Sequence, residues 1–278
     1  MADGADPESP DGPGGNRPIG GEFVDLGLQG ARALVAGGSS GLGRAVADAL
    51  AGEGARVAIV ARASDRLTER AAALDGLAVP ADLSTADGPA SAVAATVDGL
   101  GGLDLVLVNS GGPPLGRFED LSEADWQKAI DGTLWSAIRL VRAAIPHLQQ
   151  SDRAAILVNL SSSVREPIPG LTTSNLIRPG LAGLIKSLVA EIAPIRINGV
   201  APGRLATDRI THLDARRAEA AGMTVEKIQR QTIERIPMGR YGDPAELGRV
   251  AAFLLSPAAS YITGAIVPVD GGMIRALP

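Results

Sequence analysis

The chain has 278 residues, 45% of them hydrophobic, and a mean hydropathy of +0.16, which is enough apolar surface for one large core. Its net charge of −5 is spread over both signs without a basic run, so neither a nucleic-acid-binding face nor a membrane-surface patch is expected, and no apolar stretch approaches the roughly 20 residues of a membrane helix. Cysteine is absent, which excludes disulfides and thiolate metal sites and fits a reducing cytoplasm.

The first 25 residues differ in composition from the rest of the chain. They are rich in glycine, proline and aspartate and contain few large apolar side chains. Such a segment buries too little surface to offset the entropy lost on ordering, so residues 1–25 are predicted to form a disordered tail. The segment also lacks the basic start and apolar middle of a signal peptide. Residues 26–278 are predicted to form one domain.

From residue 26 onward, short apolar runs alternate with longer stretches of helical period. This alternation predicts an α/β fold: a single Rossmann-type domain with a doubly wound parallel sheet of seven strands and helices on both faces. Helices are expected, for example, at 42–52 and 125–148. The predicted strands are 31–36, 56–61, 77–80, 103–108, 154–160, 195–200 and 265–269.

A glycine-rich loop, AGGSSGLG, directly follows the first predicted strand and opens a helix. Gly37 allows the tight turn out of the strand, Gly41 lets the backbone approach a pyrophosphate, and Gly43 lets the helix pack close to the sheet. The free N–H groups of the helix N-terminus then point at the phosphates. The residues expected to bind the cofactor here are Gly37, Ser39, Ser40, Gly41, Leu42 and Gly43.

The ends of the second and third strands indicate which nucleotide is bound. Where a carboxylate would hold the adenosine 2′-hydroxyl of NAD, the chain has Ala61 followed by Arg62, whose guanidinium can pair with a 2′-phosphate. NADP(H) is therefore predicted over NAD(H). Asp82, with its neighbour Leu83, is predicted to contact the adenine; alternatively, Asp82 is a helix cap for the segment that follows.

A polar insertion of helical character, at about 205–235, follows the sixth predicted strand. Ligands of such folds bind beyond the carboxyl ends of the strands, so the insertion is placed to act as a lid. Its apolar side chains lie among charged ones, which indicates a small, partly apolar substrate. These side chains are Leu205, Ile210, Leu213 and Met223.

Five segments in consistent order resemble the short-chain dehydrogenase/reductase family, and within it the β-ketoacyl-ACP-reductase-like branch. The family pattern TGxxxGxG is present with Ala36 in place of the threonine, and the family's NNAG corresponds to NSGG, residues 109–112. The serine segment is VNLSSSV, the turn after the sixth strand is APGRLATD, and the C-terminal signature is YITGAIVPVDGG. The resemblance covers about residues 26–275 and implies the family's fold and nicotinamide-dependent redox activity.

The resemblance also implies roles for individual residues. Asn109 and Gly111 would line the ribose side of the cofactor, while Pro202, Gly203 and Thr207 would contact the nicotinamide. In such reductases a tyrosine donates a proton to the carbonyl that receives the hydride, and a lysine lowers the pKa of the tyrosine and holds the ribose. A serine binds the carbonyl oxygen, and an asparagine fixes a relay water.

The family's usual pairing through its long helices, here 122–148 and 172–192, and its C-terminal strands implies a homodimer or homotetramer. The Ala-, Leu- and Ile-rich composition of these helices is consistent with such interfaces.

The segment TTSNLIRPG departs from this pattern because it contains no tyrosine. Alignment on the following helix, GLAGLIKSL, puts Ser174 at the tyrosine and Arg178 at the lysine. Counting forward from Ser162 gives Asn175 and Pro179 instead. The first register is preferred, because a loop loses one residue more cheaply than a helix shifts its apolar face.

Three of the four family residues are therefore replaced. Thr133 stands at the asparagine position, and only the serine is kept, as Ser161 or Ser162. An aliphatic hydroxyl is a far weaker acid than a phenol, and arginine stays protonated. Arg178 can nevertheless hold the ribose, or bind a substrate carboxylate or oxyanion.

Other groups near the predicted site can supply a proton. Arg165 and Glu166 follow the serines, and His212 lies in the predicted lid. The first interpretation is an NADP(H)-dependent oxidoreductase with an altered proton-transfer apparatus, acting on a small molecule. A non-redox dehydratase, isomerase or cyclase, and an inactive nucleotide-binding protein, remain alternatives on the same scaffold.

Overall fold

A computed structural model describes residues 25–276. The predicted disordered tail, apart from its last residue, lies outside the described residues. Within the described part of the chain, no helix is long and apolar enough to cross a membrane.

The seven strands form one parallel sheet in the order β3-β2-β1-β4-β5-β6-β7, which confirms the predicted fold. The connections reverse direction between β1 and β4, so the carboxyl ends of these strands flank the crevice in which such folds bind ligands. The strands are β1 Arg32–Ala36, β2 Arg56–Ala61, β3 Leu77–Pro80, β4 Leu105–Val108, β5 Ala155–Asn159, β6 Arg196–Pro202 and β7 Ile266–Val269.

Nine α-helices are present in the described residues. Successive side chains of β1 enter opposite faces of the sheet: Leu34 belongs to one core and Val35 to the other. Helices α3, α5 and α6 cover the first core, and α1, α2 and α9 cover the second. The helices are α1 Gly41–Gly52, α2 Asp65–Ala72, α3 Gly88–Leu100, α4 Glu123–Ala129, α5 Ser136–Leu148, α6 Thr172–Glu191, α7 Asp208–Ala221, α8 Val225–Ile233 and α9 Pro244–Leu255.

The predicted helix at 125–148 is present, but its centre departs from α-helical geometry. A π-helical segment, Ile130–Trp135, separates α4 from α5. Gly132 lowers the helical propensity there, and the wider turn carries the buried Thr133 into a cavity wall. The predicted insertion contains two helices, α7 and α8.

Asp104 links three parts of the sheet at the end opposite the cavity. Its carboxylate accepts hydrogen bonds from the Arg32 backbone N, Nε and Nη2, at 2.8, 2.9 and 2.6 Å, and from Ser151 Oγ at 2.7 Å. Burial alone would raise the pKa of Asp104, but the hydrogen bonds from Arg32 and Ser151 outweigh it and lower the pKa to about 2. The stabilisation is therefore present above the unfolded pKa of about 4 and is lost as the pH falls towards 2.

We expect Asp104→Asn to lower the free energy of unfolding at pH 7 by about 2 kcal/mol, because the folded-state pKa is depressed by nearly two units. The difference in the free energy of unfolding between Asp104→Asn and wild type should become smaller at pH 3, where the Asp104 carboxyl of the unfolded wild type is already protonated. Urea unfolding at both pH values measures this, with Asp98→Asn on the exposed side of α3 as control. If Asp104→Asn lowers the free energy of unfolding equally at both pH values, the charge of Asp104 is not the stabilising feature.

The helices predicted to pair in an oligomer leave large apolar side chains exposed. Trp135 is 40% exposed beside α5, and Leu176 is 63% exposed on α6. We expect a dimer or tetramer by light scattering at micromolar concentration, and a smaller species for Leu176→Arg, which would bury a charge in the interface. A monomeric wild type would contradict the prediction.

Candidate dinucleotide and substrate site

One continuous cavity of about 1460 Å³ runs across the carboxyl ends of the strands. Its walls come from the glycine-rich loop, the ends of β2 to β6, the start of α6, and both helices of the insertion. The lining includes every residue predicted for cofactor binding or catalysis except Gly43. Typical pockets for a single small ligand measure about 300–1,000 Å³, so this cavity has room for a dinucleotide and a second molecule.

The glycine-rich loop has the geometry predicted for it. Gly37 and Gly41 have φ angles of +63° and +53°, a region that favours glycine. A Cβ on Gly43 would collide with the carbonyl of Gly37, so this glycine brings α1 against the loop from behind the cavity. Helix α1 begins at Gly41 and directs its free N–H groups into the cavity. The bare backbone and these donors fit a pyrophosphate.

Two arginines line the end of the cavity beside β2. Arg62 follows the strand directly, and Arg66 lies in the first turn of α2. In the part of the chain that the structure describes, neither guanidinium has an ion-pair partner. Sequence reasoning missed Arg66, although its spacing of four residues from Arg62 was a usable signal.

Asp82 lies opposite these arginines. Its Oδ1 accepts hydrogen bonds from the backbone N and the hydroxyl of Ser84, at 2.9 and 2.7 Å. These bonds lower the pKa of Asp82, and the charge of Arg62 contributes further. Asp82 therefore stabilises the turn after β3 and lines the cavity, but it is not the helix cap of the alternative interpretation, because the N-cap position of α3 is Asp87.

Asn109 ties three strand ends together. Its Nδ2 donates to the carbonyl of Ala36 at 3.0 Å, and its Oδ1 accepts from Asn159 Nδ2 at 2.8 Å. These contacts join β1, β4 and β5 at the crevice. Asn109 thus sets the spacing of the site as well as lining it. Asn159, the last residue of β5, was not predicted as a site residue.

The structure brings Ser174 and Arg178 to the cavity, one helical turn apart on α6. Asn175 instead binds the backbone of Ile168, with its Oδ1 3.0 Å from the amide N and its Nδ2 2.9 Å from the carbonyl O. Pro179 is exposed on the other side of the helix. The geometry agrees with the preferred register and leaves no place at the cavity for the alternative pair.

Arg178 is 7% exposed, and its guanidinium group lies against the end of β5. Its Nη1 donates to the carbonyls of Asn159 and Leu160, both at 2.7 Å. Burial, and secondly the charge of Arg209, lower the pKa of Arg178 to about 10, so it stays charged at neutral pH. No carboxylate among the described residues pairs with it. An incoming anion would offset the cost of burying this charge.

Hydroxyl side chains line the same cavity as Arg178. Ser161 accepts a hydrogen bond from the Ser163 backbone N at 3.1 Å, which shapes the short turn after β5. The hydroxyl of Ser163 lies 3.3 Å from that of Ser174, and both side chains are buried. Ser162 and Thr133 line the cavity nearby. These weak acids can donate hydrogen bonds to an oxygen but are poor proton donors at neutral pH.

The other candidate proton donors are placed differently. Glu166 lines the cavity, whereas Arg165 and His212 do not. His212 is exposed on α7 with its Nδ1 2.6 Å from the carbonyl O of Asp208, which does not support a proton shuttle into the site. Tyr241 also lies outside the lining and donates its hydroxyl to Asp214 at 2.7 Å. Burial, with this bond to Asp214, raises the pKa of Tyr241 to about 12.

A doubly wound parallel sheet with a phosphate-accommodating glycine loop at its switch point defines an α/β dinucleotide-binding protein. Comparison with known proteins narrows this class. The family model described as Enoyl-(Acyl carrier protein) reductase matches residues 36–274. The chain belongs to the short-chain dehydrogenase/reductase family and has the fold of its oxidoreductases.

Three relatives illustrate the similarity. The 3-oxoacyl-[acyl-carrier-protein] reductase FabG of Staphylococcus aureus is 31% identical over 87% of this chain and 97% of its own length. L-rhamnose 1-dehydrogenase (NAD(P)(+)) of Azotobacter vinelandii is 34% identical over 86% of this chain and 95% of its own length. The structure of L-sorbose reductase from Gluconobacter frateurii, complexed with NADPH and L-sorbose, superposes with a TM-score of 0.86 at 29% identity and covers 91% of this chain and 100% of that one.

Proposed function

We propose that this protein is an NADP(H)-dependent reductase acting on a small, partly apolar carbonyl compound, with Arg178 in place of the usual proton-donating apparatus. The observation that carries the proposal is the single cavity: it joins the glycine loop and Arg62 at one end to the serines and Arg178 at the other. A dinucleotide extended along it would lie with its adenosine near Arg62 and its nicotinamide near Arg178.

The cofactor preference rests on the arginine pair at the adenosine end. Arg62 and Arg66 offer two guanidinium groups where a 2′-phosphate would lie, and a carboxylate for an NAD ribose is missing at the tip of β2. L-sorbose reductase, similar over its whole length, was crystallised with NADPH, which also supports a nicotinamide cofactor here.

NADPH supplies a hydride when bound, and the protein must then stabilise the negative charge that develops on the substrate. Arg178 provides a fixed positive charge, and Ser161 or Ser162 can donate a hydrogen bond to the substrate oxygen. The described lining contains no tyrosine, histidine or cysteine. Reduction of a simple ketone forms an alkoxide, a strong base that requires a proton at once, so such reduction should be slow.

A carbon–carbon double bond conjugated to the carbonyl suits this site better than a simple ketone. The hydride adds to the β-carbon, the carbon–carbon π bond breaks, and the electron pair moves to the oxygen as an enolate, which then takes a proton from water at the α-carbon. An enolate is a much weaker base than an alkoxide, so a cation at the oxygen suffices without an acid. The enoyl reductase description of the matching family model is consistent with this acceptor.

The proposal is tested with a matched pair of acceptors, cyclohex-2-enone and cyclohexanone. We expect NADPH oxidation with the enone at least about tenfold faster than with the ketone, with the saturated ketone as the product by mass spectrometry. Arg178→Met, which keeps the length and removes the charge, should abolish most of the enone activity. NADPH binding without oxidation by any carbonyl compound would refute the reductase and favour a non-redox enzyme or a nucleotide-binding protein.

The cofactor preference predicts tighter binding of NADPH than of NADH. A charge-assisted pair is worth about 1.5–3 kcal/mol, so the difference should be on the order of 10- to 100-fold, and Arg62→Asp should reverse it. Fluorescence titration measures both dissociation constants, with Arg44→Ala, outside the lining, as control. A wild type that prefers NADH would show that Arg62 does not face a 2′-phosphate.

Substituting the family's tyrosine and lysine at positions 174 and 178 is expected to raise the rate of ketone reduction. In Ser174→Tyr with Arg178→Lys, a phenol stands beside an ammonium at the cavity, and general acid catalysis is worth about 10²- to 10⁴-fold. We expect this double variant to reduce activated ketones with NADPH much faster than wild type. Arg178→Ala alone should weaken NADPH binding if the guanidinium holds the ribose.

The control for this gain is Ser174→Phe with Arg178→Lys, which has the same ring without the hydroxyl. The Ser174→Tyr, Arg178→Lys variant could fold and bind NADPH yet reduce ketones no faster than the phenylalanine control. This result would contradict the assignment of Ser174 to the acid position. A fast wild type would show that another acid, with Glu166 the first candidate, already acts.

A further inference from the structure

The substrate half of the cavity has a positive charge that the composition of the chain does not predict. The protein has a net charge of −5, yet the insertion and its approach bring four arginines and one aspartate to the lining. Asp125, Lys128, Glu166 and Arg178 are the charged residues on the facing walls. The charged lining residues of the insertion and its approach are Arg204, Asp208, Arg209, Arg217 and Arg235.

Among these arginines, Arg209 is the one that reaches across the cavity. Its Nη2 donates to the carbonyl of Pro113 at 3.2 Å, and its guanidinium lies against Gly112, where any Cβ would collide with it. Arg204, by contrast, lies 3.7 Å from the buried carboxylate of Asp214. Within residues 25–276, Arg209 has only a neutral partner.

Arg209 and Arg178 share one compartment. The charge of Arg209 is the second cause, after burial, of the lowered pKa of Arg178. Both guanidinium groups bind backbone carbonyls, which leave the two positive charges uncompensated. An anion bound between them would offset their repulsion and the cost of removing Arg178 from water.

We propose that Arg209 binds an anionic group of the substrate, a carboxylate or its equivalent, that lies apart from the reducible bond. Apolar side chains of Leu115, Ile210 and Leu213 line the same region, so the ligand is a small acid with an apolar body. The proposal rests on the reductase function proposed above, because it places the reducible bond beside Arg178. A carboxylate accepts a bidentate pair from a guanidinium, whereas the corresponding ester cannot carry the charge.

The test uses (E)-6-oxohept-4-enoate and its methyl ester, which share the same conjugated ketone and differ in one charge, because two methylene groups separate the carboxyl group from the reacting double bond. The absence of cysteine in the chain removes thiol addition to these compounds as a side reaction. We expect kcat/KM for the acid to exceed that for the ester by about 30-fold in wild type. Arg209→Met should remove this preference by lowering kcat/KM for the acid, with the ester changed less than about threefold.

Two further variants distinguish the charge from the fold of α7. Arg209→Lys should recover part of the acid preference. Arg216→Met, on the same helix but outside the lining, should behave as wild type. If Arg209→Met lowers kcat/KM equally for the acid and the ester, the proposal is overturned. A fall in NADPH affinity in this variant would also overturn it, because Arg209 would then bind a cofactor phosphate.

A binding measurement shows whether the anion-site proposal or the reductase proposal has failed. If wild type oxidises NADPH with neither compound, the reductase proposal fails for these acceptors, and calorimetry on the NADP⁺-loaded protein tests Arg209 directly. Binding of the acid, lost in Arg209→Met and kept in Arg216→Met, supports the anion site. Binding that does not depend on Arg209, or no binding, refutes it.

Discussion

The hydrogen bonds from Arg178 to the carbonyls of Asn159 and Leu160 determine the character of the site. They fix α6 to the end of β5 and hold a positive charge in the cavity wall with only 7% of the residue exposed. The same strand end is joined through Asn159 and Asn109 to β1, so the charge has a fixed position relative to the glycine loop. A buried cation bound only to neutral groups is tolerated when a ligand completes its surroundings.

Under the proposed function, a permanent charge takes the place of a titrating acid. The phenol and ammonium of related reductases deliver a proton, whereas Arg178 can only stabilise negative charge at an oxygen. The hydroxyls of Ser163 and Ser174, which lie 3.3 Å apart, are weak acids. Under the proposed function, the chemistry best matched to such a site ends in a weakly basic oxyanion.

The sequence predicted the strands, their parallel arrangement and the glycine loop, because short apolar runs and a glycine spacing are local signals. The structure places the preferred pair, Ser174 and Arg178, at the cavity, since the apolar face of α6 fixes the rotation of the helix. The π-helical turn at Thr133 and the contact of Arg209 with Pro113 were not predicted. The contact depends on long-range packing, and a one-residue bulge leaves a helical pattern almost unchanged.

The pH dependence of a single turnover tests the central claim most directly. With NADPH prebound and a conjugated ketone added, the rate constant for NADPH oxidation should stay constant from about pH 6 to 9, because no acid titrates in this range on the way to an enolate. It should not fall at the upper end of this range, because Arg178 keeps its charge there. A rate that falls through an apparent pKa near 6 or 7 would show that a carboxyl or imidazole group donates the proton, and would contradict the account.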